Sequence, residues 1–310
     1  MRIAVLGRTR WLLDTARALM AAGHDIVAVA TAKSEPFYQC GPEDFARLAV
    51  EAKAMNLGVI SLSDIAVRER LSACGAELAV SINWPTIVGA DVIGMFPAGV
   101  VNAHCGDLPR YRGNACPNWA ILNDEQRIGL CAHMMEADAV DAGAIILRDY
   151  FLVNAETYIG DVYAWLDRRV PTLLVEAIEG LETGRLVPQP QPADPSVALR
   201  CYPRRPEDGR INWSSGVAQI HRLVRASSRP FAGAFSSFDD GRRVIVWRAS
   251  PFLHRVPFCA IPGQVMLRAE SDPVIACGTG ALRLEEIEIE GLDLAKAKDV
   301  VGRSVRARLI

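Results

Sequence analysis

In the first third of the chain, short continuous apolar runs alternate with stretches of helical spacing. Ile3 to Leu6, Ile26 to Ala30 and Leu78 to Ile82 are the apolar runs. Such runs mark strands buried on both faces of a sheet. The stretches from about Trp11 to Ala22, Pro42 to about Met55 and Ile65 to Cys74 read as amphipathic helices, and Val59–Ile60 as a further short strand. Strands and helices alternating in this way predict a doubly wound, mostly parallel α/β sheet of the Rossmann-like kind. A strand at about Gly99 to His104, a helix over Ala115 to Leu122, and strands at Gly129 to Met135 and Ala144 to Val153 continue it. Thr157 to Thr183 is helical in pattern, with Pro171 expected to break or kink it.

The pattern then changes. Four prolines between Pro188 and Pro195 predict an extended linker. Beyond it come a helix over Ser214 to Ala226 and a hairpin from Gly233 to Trp247 turning at Asp239-Asp240-Gly241. Short strands follow at Val265 to Leu267, Val274 to Ala276 and Leu282 to Ile289. The expected organisation is a catalytic domain over residues 1–190, a linker over 191–203 and a smaller β-rich domain over 204–310.

Half of the 310 residues are hydrophobic, yet no apolar run reaches the length that spans a bilayer. Met1 leads straight into a strand without a signal-peptide pattern. Eight cysteines lack Cys-x-x-Cys spacing, which fits a reducing compartment. The expectation is a cytoplasmic protein with no membrane partner. The net charge of −2 lacks the basic excess usual in nucleic-acid binders. Arg303, Arg306 and Arg308 near the end read as a solvated strand.

The candidate chemistry sits where the fourth long strand ends. Asn102 and His104 are two apart, so both side chains leave the strand on one side. Gly106, Pro109 and Gly113 then make a loop. A polar pair at a strand's carboxyl end followed by a loop is where open α/β sheets put their sites. Taken alone, the pair reads equally as a capping Asn and a core His. Asp141, in Asp141-Ala142-Gly143 before a strand, changes the weighting: a carboxylate beside a His fixes its tautomer. An Asn amide supplies a donor for a developing oxyanion. Together they suggest attack on a carbonyl carbon without a covalent enzyme intermediate. Cys105 lies in the same stretch and could look like a nucleophile, but its neighbours His104 and Gly106 point to the other face or into the turn, which argues against that role. The five histidines show no metal-ligand spacing, so no metal is expected.

The turn after the first strand, Gly7-Arg8-Thr9-Arg10-Trp11, lacks the Gly-x-Gly-x-x-Gly fingerprint of dinucleotide binding. Arg8 and Arg10 would lie near the sheet's carboxyl edge, able to meet a substrate phosphate or to stay in solvent.

Asn102-x-His104, then Leu108-Pro109-x-x-Arg112-Gly113, then Asp141-x-Gly143 resembles the 10-formyltetrahydrofolate-dependent formyltransferase family. Arg204-Arg205 through Trp213, and Ala234–Phe235 through Val246–Trp247, resemble the carboxyl-terminal module of its tRNA and sugar branches. The resemblance implies the formyltransferase fold with a small open β-barrel of the oligonucleotide-binding type after it. It implies 10-formyltetrahydrofolate as co-substrate, with Asn102, His104 and Asp141 catalytic. Folate would lie along Trp84, Ile87, Met135, Ala137 and Asp138, mainly against backbone, although Trp84 reads equally as core.

The acceptor is expected to be a small molecule, a nucleotide-linked amino sugar made for a surface polysaccharide. The grounds are the weakly basic stretch Thr31 to Pro42 and the Asn114 to Trp119 pattern, which looks like the sugar branch. Arg8, Arg10, Arg204 and Arg205 would meet its diphosphate. Nucleic acid is not expected as a partner, and a homodimer is compatible. Methionyl-tRNA as acceptor is the alternative. A formyltetrahydrofolate deformylase and a non-catalytic folate or nucleotide-sugar binding module stay open behind it.

Overall fold

The computed structural model describes residues 1–33 and 40–310. Part of the stretch Thr31 to Pro42, read above for its charge, therefore lies outside the described residues. The chain divides into two compact units. One comprises residues 1–116, 128–151 and 164–201; the other comprises 117–127, 152–163 and 202–310.

The first unit is built on β1 (Arg2–Gly7), β2 (Asp25–Thr31), β3 (Met55–Val59), β4 (Leu78–Ile82) and β5 (Val100–His104). After the short β6 (Arg112–Gly113) come β7 (Arg127–Met134) and β8 (Ile145–Leu152). They form a seven-stranded sheet in the order β3-β2-β1-β4-β5-β7-β8, without β6. The strands from β1 to β5 pair in parallel, and β7 runs antiparallel to β5. Helices α1 (Arg10–Ala21), α2 (Pro42–Glu51), α3 (Ile65–Ala73) and α4 (Ala90–Ile93) connect the parallel strands. α5 (Cys116–Leu122) falls, but for Cys116, in the second unit, and α6 (Ile159–Glu182) lies in the first from Ala164 onward. Ala4 and Leu6 share one core with Ala28, Ala30, Leu71 of α3 and Val92 of α4. Their neighbours Ile3 and Val5 are also fully buried. Successive strand residues face opposite sides, so both faces of the sheet are covered. The order reverses between β1 and β4, the kind of position where open sheets form a crevice. β9 (Arg200–Cys201) pairs in parallel with β6, Arg112 opposite Arg200 and Gly113 opposite Cys201.

Three local expectations are corrected. The helix from Pro42 stops at Glu51, and Met55–Val59 is strand rather than Val59–Ile60 alone. Lys53 at φ 52 turns the chain out of the helix, and pairing with β2 from Ala28 opposite Met55 captures the next residues. Pro171 does not break α6. Proline removes one helical N–H, but Leu166, Val170, Leu173, Leu174 and Ala177 on either side of it are fully buried and hold the helix. The stretch from Arg303 to Arg308 is turn with one isolated bridge, Gln264 to Arg308, instead of a strand.

In the second unit β10 (Ala234–Ser237), β11 (Arg243–Phe252), β12 (Val265–Ala269), β13 (Asp272–Ala276) and β14 (Ala281–Glu288) form an antiparallel sheet. Its order is β10-β11-β14-β13-β12. α7 (Val217–Ser227) and α8 (Leu294–Val301) close a core around Trp213, Val224, Val246, Leu282 and Leu284. The sequence pattern does not announce α8. Asp293 caps it by accepting from the Lys296 N–H at 2.8 Å, and its Ala297 and Val301 are buried. Among the described residues no helix is long and apolar enough to cross a membrane.

Candidate active site

β5 delivers Asn102 and His104 to one side of the sheet, as the two-residue period requires. Antiparallel pairing puts His133 of β7 directly opposite Asn102. The chain then leaves and returns. The Met135 N–H donates to the Val100 carbonyl at 2.7 Å, and the Met134 N–H donates to the Ala144 carbonyl at 2.8 Å. These bonds close a loop that carries Asp141 back over the sheet. Gly143 is required at the closure, because a Cβ there would collide with the Met134 carbonyl. Gly113, at φ +100, is required for a similar reason: a Cβ would strike the Cys201 carbonyl across the β6–β9 pair. Two motif glycines thus have packing causes.

The three expected catalytic residues are brought together. Asp141 Oδ2 lies 3.3 Å from His104 Nδ1 and accepts the Gly113 N–H at 2.8 Å. Asp141 Oδ1 lies 3.6 Å from His133 Nε2, and the same nitrogen lies 3.0 Å from Asn102 Nδ2. His133 Nδ1 sits 2.8 Å from the Met134 carbonyl, which only accepts, so Nδ1 carries a hydrogen. An Nε2 without hydrogen can accept from the Asn102 amide, which leaves that amide its second N–H. Sequence reasoning missed His133 because nothing in the chain states which strands pair. A strand reading of Gly129 to Met135 combined with a β5–β7 register would have found it.

His104 is buried, and burial pushes it below its ordinary value; Asp141 opposes this, while His133 adds to it. The ring is therefore neutral near pH 7. Its Nε2 faces the Tyr111 carbonyl at 2.6 Å. A proton arriving on the ring would find an acceptor at each nitrogen, which prepares His104 to take one. Burial pushes Asp141 up, but His104, His133 and the Gly113 N–H outweigh it and hold the carboxyl well below the usual carboxylate range. Cys105 is pushed up to about 12, chiefly by desolvation, and stays a thiol. Among the described residues no cluster of three or more His, Cys, Asp or Glu is arranged to hold a metal ion.

Of the residues expected to meet folate, Trp84 and Met135 pack on the same core cluster, beside Val88 and Phe96. Trp84 also donates Nε1–H to Thr86 Oγ1 at 3.1 Å. Ile87 is 59% exposed, Ala137 is half-buried, and Asp138 is exposed at φ 59. Asn83, just before Trp84, also holds a left-handed φ of 54.

The four arginines are divided between the units. Arg8 donates Nε–H to the Asn83 carbonyl at 3.2 Å, and Arg10 pairs with Asp14 at 3.3 Å. Arg204 donates to the Asp208 carbonyl and to Ser227 Oγ and stacks on Trp119. The exposed Arg205 has its N–H bound to Asp208. Each of the four thus has local contacts within its own unit.

Residues 1–178 match the family described as formyl transferase, and residues 204–304 match the formyl transferase C-terminal domain. A methionyl-tRNA formyltransferase of Solibacter usitatus is 31% identical over 96% of this chain and 94% of its own length. One from Anaeromyxobacter dehalogenans is 30% identical over 99% and 98%. Among solved structures, an N-formyltransferase of Helicobacter canadensis in complex with folinic acid and dTDP-3-aminofucose superposes at a TM-score of 0.65. It is 17% identical over 91% of this chain and 98% of its own. HypX of Aquifex aeolicus with tetrahydrofolic acid superposes at 0.60, with 19% identity over 98% of this chain and 47% of its own.

These findings correct the acceptor. The full-length relatives carry the methionyl-tRNA name, whereas the sugar enzyme shares the fold at low identity. The nucleotide amino sugar and the exclusion of nucleic acid are overturned, and the names of the relatives lend no support to a polysaccharide role. The net charge misleads because it sums two unlike regions. Residues 204–310 hold 17 Lys and Arg against 12 Asp and Glu, a net of +5, while residues 1–203 hold 17 against 24, a net of −7. On these matches the chain belongs to the formyl transferase family, as an enzyme that draws its formyl group from 10-formyltetrahydrofolate.

Proposed function

We propose that the enzyme formylates the α-amino group of methionyl-tRNA in the cytoplasm. The observation that carries this reading is the identity of about 30% with methionyl-tRNA formyltransferases over nearly the whole of both chains. The basic balance of residues 204–310 agrees with it, because phosphate contacts dominate affinity for nucleic acid. In this reading residues 1–190 are the catalytic domain, 191–203 the linker, and 204–310 a domain that meets the tRNA backbone. The exposed Arg303, Arg306 and Arg308 are candidates for that contact.

The chemistry follows from the site. The free amine attacks the formyl carbon, a new C–N bond forms, and negative charge gathers on the formyl oxygen. The second N–H of the Asn102 amide donates to that oxygen. His104 takes the proton that the amine sheds, held by Asp141 and the Tyr111 carbonyl as an imidazolium. Collapse breaks the bond from carbon to the folate N10, and His104 returns the proton to that nitrogen. Asp141 stays ionised throughout and keeps the ring aimed. Trp84, Ile87, Met135, Ala137 and Asp138 border the folate.

The test is a steady-state assay with 10-formyltetrahydrofolate against methionyl initiator tRNA and, separately, a panel of nucleotide amino sugars. Formylation of the tRNA, with affinity falling steeply as salt rises, is the expected result. Turnover on a sugar with none on the tRNA overturns the reading. Release of formate at the same rate without any amine acceptor does so as well.

A further inference from the structure

Gln191 lies in the proline-rich stretch that reads as linker, yet it belongs to the first unit. Val187, Gln189, Pro190 and Pro192 around it are exposed, whereas Gln191 is half-buried. The backbone of Gln189 exchanges two hydrogen bonds with Ile145, both 2.8 Å, which pins the segment to the start of β8. Pro190 and Pro192 fix φ on either side of Gln191.

The Gln191 carboxamide is fully used. Its Nε2 donates to the Asp141 carbonyl and to the Gly143 carbonyl, each at 2.8 Å. Its Oε1 accepts from Arg112 Nε at 3.2 Å and Arg112 Nη2 at 2.6 Å. A primary amide offers two donors and one oxygen with two lone pairs, so every site is filled. Glutamate would lack the donors, lysine the acceptor, and asparagine one methylene of reach. Arg112 is the first residue of β6, and its neighbour Gly113 gives its N–H to Asp141 Oδ2. Asp141 itself sits at φ 51, a left-handed conformation that a non-glycine residue holds only when its surroundings fix it.

We propose that Gln191 is a positioning residue for the catalytic carboxylate, clamping the β6 strand to the Asp141–Gly143 turn so that Asp141 meets His104. The proposal rests on Asp141 being the partner of His104 in formyl transfer. Through it, the stretch between the two family-matched segments forms part of the active site.

The test combines formyl-transfer kinetics with NMR titration of the His104 ring, which also faces His133 and Arg200. Gln191→Leu should lower kcat about 100-fold, the scale of an ångström-level misplacement. The KM for 10-formyltetrahydrofolate and the melting temperature should stay as in the parent. The His104 midpoint should move down by about one unit, because the carboxylate that raises it is no longer held in place. Gln191→Glu, which keeps the Arg112 contact but loses both donors, should stay impaired. Arg112→Leu combined with Gln191→Leu should be no slower than the single change, as for groups acting as one unit. A merely structural role would lower melting temperature, kcat and folate affinity together. A Gln191→Leu enzyme with parental kcat, an unmoved His104 midpoint, or additive losses in the double variant would overturn the proposal. The titration needs no acceptor, so failure of the methionyl-tRNA reading leaves it intact. Asp141→Asn names the cause of such a failure: if it too leaves His104 unmoved, the proposal fails because Asp141 does not set the His104 midpoint, and if it alone moves His104, the clamp itself fails.

Discussion

Two buried histidines, one in each unit, show how neighbours decide what a residue does. His104 is 7% exposed and His221 is 6% exposed. Burial lowers the proton affinity of both. In the first unit Asp141 opposes burial and both ring nitrogens face acceptors, which favours the ring taking a proton. In the second unit Arg225 adds to burial, and His221 is pushed down to about 4 with a hydrogen bond to the Ala249 backbone as the main counterweight. Arg225 is itself buried, and donates to the Asn154 and Thr157 carbonyls. In the proposed mechanism the first histidine carries a proton, while the second donates a fixed hydrogen bond to the Ala249 backbone. The contrast repeats the charge balance of the two regions, −7 over residues 1–203 and +5 over residues 204–310.

The largest effects should come from removing the first histidine's surroundings. Asn102→Ala should cost about 10²–10³ in kcat as a lost oxyanion donor. His104→Ala should cost roughly 10²–10⁴ as a lost proton carrier. Asp141→Asn should fall in the same range, since it removes the charge that steadies the imidazolium. Tetrahydrofolate affinity, measured by calorimetry, should stay near parental, because these groups act on charge that develops in the transition state. A His104→Ala enzyme within tenfold of the parent rate would break the assignment. His221→Gln, by contrast, should leave kcat unchanged.

Motif residues are legible because their chemistry is local. Asn102, His104 and Asp141 can be read from strand period and loop chemistry, and so can the parallel sheet, from continuous apolar runs. His133, Gln191 and the Tyr111 carbonyl cannot, because each enters through pairing between segments distant in sequence. β3 escapes its own pattern because Met55 to Val59 takes its form from β2. α8 is hard to see because it is short and presents only Ala297 and Val301 to the core. The acceptor is obscured for a different reason: a long-range field depends on where charges lie, and a single net charge averages that away.

A smaller effect should follow from changing the charge of the second region. Arg303→Glu with Arg306→Glu should weaken methionyl-tRNA binding and make it less salt-dependent, the slope of log K against log salt shrinking by about one for each phosphate no longer neutralised. Turnover at saturating tRNA should persist, and so should the KM for 10-formyltetrahydrofolate. Equal affinity and equal salt slope in parent and variant would show that these arginines do not meet the polyanion, and would move the binding surface elsewhere on residues 204–310.

The last effect concerns pH and sharpens the comparison directly. Between the ordinary histidine value near 6.5 and about 4, the unfolded chain binds a proton at position 221 that the folded chain refuses. Stability therefore falls with acid across that window, by about 1.4 kcal/mol per pH unit for one such group. Above the window the effect vanishes, and below it the loss is complete. His104 acts with the same sign, since its folded value is also lowered. Asp141 adds a later loss: its depressed carboxyl stabilises the fold above the ordinary carboxylate range, and that contribution disappears as pH falls toward its own low value. Urea unfolding at a series of pH values reads the slope, and His221→Gln, which keeps a donor toward Ala249 but cannot titrate, should flatten it. An unchanged slope in that variant would mean that His221 is not held neutral by burial and Arg225. The two histidines would then differ in position and not in electrostatic surroundings.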